Sequence, residues 1–216
     1  MRESITKHAA EAPDAIVVDI DDLEVPAESA WLVFTSARWL IARWQNLQLL
    51  LVANCPEVRS ALQRHGITRY CPCFADEQEA YAAAAVGVRS RRQAITQIPA
   101  AGGSAACRVF VRDTLARWSL DAYRTTALVI ATELVENAIR HTPFEPSLRL
   151  EHRPSGLTIA VADDSDQHPV RRENPEGTAL LSGLGLVTSL ATAWGSTPRF
   201  GGGKVVWAVI GKRDVI

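Results

Sequence analysis

Between Val86 and Ala106 the chain loses every apolar period: an RSRR run, an isolated Pro99 and the stretch AAGGSAA follow one another. Such a composition belongs to connections rather than to cores. The 216 residues are long enough to build an interior on each side of it. The chain therefore reads as two domains, residues 1–87 and 107–216, joined by a linker over 88–106.

The two halves carry different rhythms. Upstream, Ala15 to Ile20 is a short apolar run, Glu28 to Trp44 has helical periodicity, and Leu47 to Ala53 is a second run. Pro56 opens an amphipathic helix that Gly66 ends, as expected of an N-terminal proline and a C-terminal glycine. Ile67 to Phe74 reads as a third strand, and Asp76 caps a last helix through Ala85. This βαβαβα order predicts a parallel sheet covered by helices. Downstream, a helix over Cys107 to Trp118 precedes one that starts at Ser119 or Asp121 and runs to Thr142, where Pro143 stops it. Strands near Ser147 to His152 and Leu157 to Asp163 follow, then a helix over 183–194 and a strand from Val205 to Ile210. That order predicts an α/β sandwich.

A net charge of -1, from 23 basic and 24 acidic residues, argues against a bulk electrostatic grip on nucleic acid or on an anionic membrane. The expected partners are proteins and small ligands. No apolar run approaches the roughly 20 residues of a bilayer span. Met1 opens into a charged, helix-like stretch rather than a signal peptide, so the expectation is a cytoplasmic protein. Cys55, Cys71, Cys73 and Cys107 form no CxxC pair and have no histidine at zinc spacing. They read as reduced thiols.

The chemistry-bearing residues lie in the second half. Glu133, Asn137 and His141, four residues apart, share one face of a helix whose Leu128, Ala131, Val135, Ala138 and Ile139 cluster on roughly the opposite face. Alone, the stripe is only that of an amphipathic helix with a solvated side. Period-two alternation puts Asp163 at the end of the row Leu157, Ile159, Val161. There it either caps the next turn or accepts a hydrogen bond from a ligand such as the amino group of a purine. Gly183-Leu184-Gly185-Leu186 opens a helix, where free N–H groups and the helix dipole suit a phosphate. The polar segment between Asp163 and Gly183 reads as a lid. Arg171 and Arg172 in it either reach a phosphate or a partner's acidic surface, or are simply solvated.

ELVENAIRH, Asp163-Asp164-Ser165 and GLGL together resemble the GHKL (Bergerat) ATPase family over about 110 residues. The Trp194-Gly195 pair and the closing GGGKVVWAVI look most like its bacterial anti-sigma-factor serine kinases. The resemblance implies an ATP-binding, magnesium-dependent serine/threonine protein kinase of partner-switching transcription control, often a homodimer. It implies that Glu133 is the general base, that Asn137 holds Mg2+, and that His141 closes the helix end. Asp163 and Ser165 would sit at the adenine, and Gly183, Leu184, Gly185 and Leu186 at the phosphates. Ser165 and Gln167 replace the family's usual glycines, and Val205 replaces a common hydroxyl residue. A non-catalytic, nucleotide-sensing scaffold that binds a sigma factor or an antagonist is the alternative.

The first half, VVDIDDLEVPAESAWLVF followed by LQLLLVANCPEVRSALQRHGI and DEQEAYAAA, resembles a STAS domain, the fold of anti-sigma-factor antagonists. The resemblance implies a truncated domain that lacks the two leading strands of that fold. Ser29 falls where the family carries its phosphoacceptor, at a helix start that suits added negative charge. The other reading of Ser29 is an ordinary helix-start residue. Ala27 and Ala30 replace the family's usual Asp and Gly.

Overall fold

The structure, a computed structural model, describes residues 1–45, 47–87, 92–142, 144–165, 183–200 and 202–212. It divides into two compact units, Met1–Arg91 and Arg92–Ile216.

In the first unit, α1 (Arg2–Ala10) precedes β1 (Ala15–Asp19), α2 (Leu32–Ala42), β2 (Gln48–Val52), α3 (Pro56–Arg64), β3 (Cys73–Phe74) and α4 (Glu77–Gly87). The three strands form a parallel sheet in the order β1-β2-β3. Central β2 reads Leu-Leu-Leu-Val, and all four of these residues are buried, as a strand covered on both faces requires. Its Leu49 and Leu51 share a core with Ile5 and Ala9 of α1, Phe34 and Ile41 of α2, and Leu62 of α3.

The caps are where the sequence places them. Pro56 stands in the first turn of α3, Gly66 takes a left-handed φ of 70°, and the Glu79 amide donates to Asp76 Oδ1 at 2.9 Å. The third strand is a correction. Ile67–Arg69 is a 3₁₀ turn, and only Cys73 and Phe74 pair with β2. Ile67 is buried as a core anchor of that turn, and its apolar character mimicked a strand.

The second unit begins inside the stretch expected to be a linker. β4 (Arg92–Gln97) pairs antiparallel with β5 (Ser147–Arg153) from Arg92↔His152 to Gln97↔Ser147. Then come α5 (Gly103–Trp118), α6 (Arg124–His141), β6 (Gly156–Asp163), α7 (Gly183–Leu190), β7 (Ala193–Pro198) and β8 (Lys204–Gly211). The sheet order is β4-β5-β6-β8-β7. β7 corrects the helix expected through residue 194, which ends at Leu190. The inner rows Leu148 and Leu150, Leu157, Ile159 and Val161, and Val206, Ala208 and Ile210 form one core with the helices.

All four cysteines are free. Burial pushes the thiols of Cys71 and Cys107 up to about 11, which at pH 8 leaves roughly a thousandth of each as the reactive thiolate. Ellman titration of the native chain at pH 8 is therefore expected to modify half-buried Cys55 and Cys73 first. Cys71 and Cys107 should react only when the unit that buries each one opens.

Candidate functional site

Helix α6 positions the first group of residues. Its buried stripe is Ala127, Ile130, Ala131, Leu134, Val135 and Ala138. It is rotated from the expected face, so that Leu128 and Ile139 are only half-buried. Glu133 and Asn137 consequently stand at the border of the core stripe rather than on the far side of the helix, and both are half-buried. A carboxylate and an amide shielded on one side and reachable on the other suit ligand binding better than a fully solvated pair does. His141 is the last residue of α6 and is exposed.

The glycine-rich segment opens α7, which packs on α6. Leu184 and Val187 are buried in the core that also holds Ala131, Leu134 and Ala138. Gly185 and Leu186 are half-buried. The packing of two leucine-bearing turns thus holds the start of α7 against the helix of Glu133 and Asn137. The stretch 166–182, with Gln167, Arg171 and Arg172, lies outside the described residues.

Asp163 ends the inner row of β6, as its alternation predicts, and is 3% exposed. Sequence reasoning missed its partner. The β6–β8 register sets Lys204 directly opposite, where it extends the inner row of β8 and is 6% exposed. Lys204 Nζ donates to Asp163 Oδ1 at 2.7 Å and to the Ser165 carbonyl at 2.9 Å. The Ser165 amide donates to the same Asp163 Oδ1 at 2.8 Å. Asp163 therefore does cap its turn, and Ser165 enters through its backbone. Two of these bonds fall on one carboxylate oxygen of a group that can accept about four, so Oδ2 is the atom suited to a further donor. A warning signal existed in the sequence: Lys204 is the one charged residue within KVVWAVI.

The turn before β8 holds this pair in place. Gly203 has φ 73°, and a Cβ there would stand 2.2 Å from the Asp163 carbonyl oxygen, so glycine is required. Arg199 Nη1 pairs with Asp164 Oδ1 at 3.3 Å across the same end of the sheet. Among the described residues there is no group of three or more His, Cys, Asp or Glu side chains that could hold a metal ion. A cation here would rely on Asn137 and on oxygens that a ligand brings.

Ser29 lies in the other unit. It is exposed in a 3₁₀ turn, Glu28–Trp31, that leads into α2. Beside it, Glu28 binds Arg64 at 3.2 Å and His65 at 2.8 Å. These partners, with the His65 hydrogen bond contributing most, hold the Glu28 carboxyl below its usual range.

Among the described residues no helix is long and apolar enough to cross a membrane. Among curated proteins none matches the chain. Residues 1–80 match the family model of the STAS domain, a domain that mediates protein–protein interactions, so the parallel sheet with its covering helices is a STAS domain.

Proposed function

We propose that the chain is an ATP-dependent serine/threonine protein kinase of the anti-sigma type, in which the second unit is the catalytic module and the STAS domain a docking platform. One observation carries this reading: half-buried Glu133 and Asn137 border the α6 core stripe, against which the Gly183–Leu186 start of α7 is packed. Asp163, at the end of β6, supplies a buried acceptor in the same unit. The STAS domain supports a place in partner switching with anti-sigma-factor antagonists.

Bound ATP with Mg2+ supplies the phosphoryl group and the cation that neutralises its charge. The chain's own residues do the rest. Glu133 accepts the proton of an incoming serine or threonine hydroxyl, and Asn137 offers its side-chain oxygen to the cation. Asp163 accepts a hydrogen bond from the base through Oδ2, because Oδ1 is engaged by Lys204 and Ser165. The N–H groups at the start of α7 would hold the phosphates. The partner is a sigma factor or a STAS-domain antagonist, and Ser29, exposed before α2, is the phosphoacceptor or its remnant.

Calorimetric titration of the full chain with ATP and Mg2+ is expected to show one site. Glu133→Gln should keep that binding while phosphotransfer to a STAS-domain acceptor falls roughly 100-fold or more. No binding by a folded parent would overturn the nucleotide reading altogether. The Lys204–Asp163 pair favours a second reading, a nucleotide-sensing scaffold, because it fixes the base-reading carboxylate through Oδ1 whether or not a phosphoryl group is transferred. That reading wins if ATP binds and regulation in cells is unchanged by Glu133→Gln.

A further inference from the structure

A groove of about 740 Å³ runs along α2 in the STAS domain and is closed on one side by Arg69 and Tyr70. Its wall residues are not core residues that happen to show an edge. Trp39 is 67% exposed, Tyr70 64% and Leu32 50%. Aromatic and aliphatic side chains gathered this openly on one surface mark an interaction site, and Trp, Tyr and Arg are the residues that most often anchor interfaces. A small-molecule pocket typically covers about 70–90% of its ligand, which walls so open are poorly placed to do. The hydroxyl of Thr35 donates to the Leu32 carbonyl of its own helix at 2.9 Å, so it makes little demand on an occupant.

Charge selects the occupant. Arg38 and Arg69 line the groove and no carboxylate does. In a two-fold contact the same patch faces itself, and a second copy would bring its own guanidinium groups against these. Like charges so placed penalise association. We infer that this groove docks an amphipathic segment of a partner protein, with an apolar stripe for Leu32, Trp39 and Tyr70 and flanking Asp or Glu side chains for the exposed Arg69. A helix with apolar residues at i, i+3, i+4 and i+7 has the matching form. The inference stands on the STAS domain alone and does not depend on nucleotide binding by the second unit.

The test is a display selection of a 16-residue, helix-biased random peptide library against the full chain. It is followed by fluorescence anisotropy of the enriched peptides on the parent, Trp39→Ala and Arg69→Glu. Both sites are exposed, so the variants should fold, which circular dichroism checks. Enriched peptides should carry an apolar i, i+3, i+4, i+7 stripe with an excess of Asp and Glu. They should bind each variant about tenfold or more weakly than the parent, and they should lose affinity with added salt in the parent but not in Arg69→Glu. The inference is overturned if no peptide is enriched, if the enriched peptides lack acidic residues, or if the variants bind like the parent. It is equally overturned if sedimentation shows a dimer of the parent that Trp39→Ala dissociates, since the occupant would then be a second copy.

Discussion

Replacing Asp163 by Ala is expected to lower the stability of the C-terminal unit by about 3–5 kcal/mol, an effect read as faster labelling of the Cys107 thiol. The substitution strands the Lys204 ammonium, 6% exposed, beside the Ser165 carbonyl with its counter-charge gone. A buried charge in that position gives up its hydration with too little in return. Cys107 is fully buried in this unit and Cys71 in the other, so the two thiols report on the units separately. Labelling of Cys107 should accelerate by about two to three and a half powers of ten, while that of Cys71 stays as in the parent. Lys204→Met alone should behave similarly, because it leaves the Asp163 carboxylate unpaired. The double variant Asp163→Leu with Lys204→Met should recover most of the loss, since apolar replacement of a whole buried pair is often neutral. Equal stability of Asp163→Ala and the parent would show that the pair contributes nothing to the fold. Asp163→Ala is for this reason a poor probe of nucleotide binding, since a loss of binding would follow from the weakened fold alone.

Phe34→Ala is expected to destabilise the STAS domain by about 3–5 kcal/mol, with the opposite pattern of labelling. Phe34 is 0% exposed, packs at 6.3 Å between ring centroids on Trp31, and offers its carbonyl to the Cys71 thiol at 3.6 Å. Truncation leaves a cavity in the core that Phe34 shares with Leu49, Leu51 and Leu62, and close packing lets the surroundings collapse only in part. Cys71 should become the fast thiol and Cys107 remain slow. If Cys71 labelling did not accelerate, Phe34 would not be the central support of this core.

Much of this architecture was legible because its strongest elements obey one period each. Leu47 to Ala53 and the row Leu157, Ile159, Val161, Asp163 became β2 and the inner face of β6. Pro56, Gly66 and Asp76 mark helix ends by local chemistry that needs no tertiary context. What escaped depends on neighbours distant in sequence. RQAITQ is a strand because β5 pairs with it, and its polar flanks hid it. AWGSTP is a strand because β8 lies beside it, with Gly195 so close to the Trp207 ring that a Cβ would come within 2.7 Å. The Asp163–Lys204 pair spans 41 residues and emerges only once the β6–β8 register is known. Glu133 and Asn137 were singled out by spacing, whereas their half-buried setting came from the rotation of the α6 stripe, which packing decides.

The edge position of β4 bears on how the chain can be dissected. A fragment begun at Cys107, where the helical periodicity starts, would discard β4 and the first turn of α5. The backbone groups of β5 from Ser147 to His152, now paired with β4, would become an open template on which strands of other molecules can add. Such a fragment should aggregate, whereas one begun at Arg92 carries its own protective border.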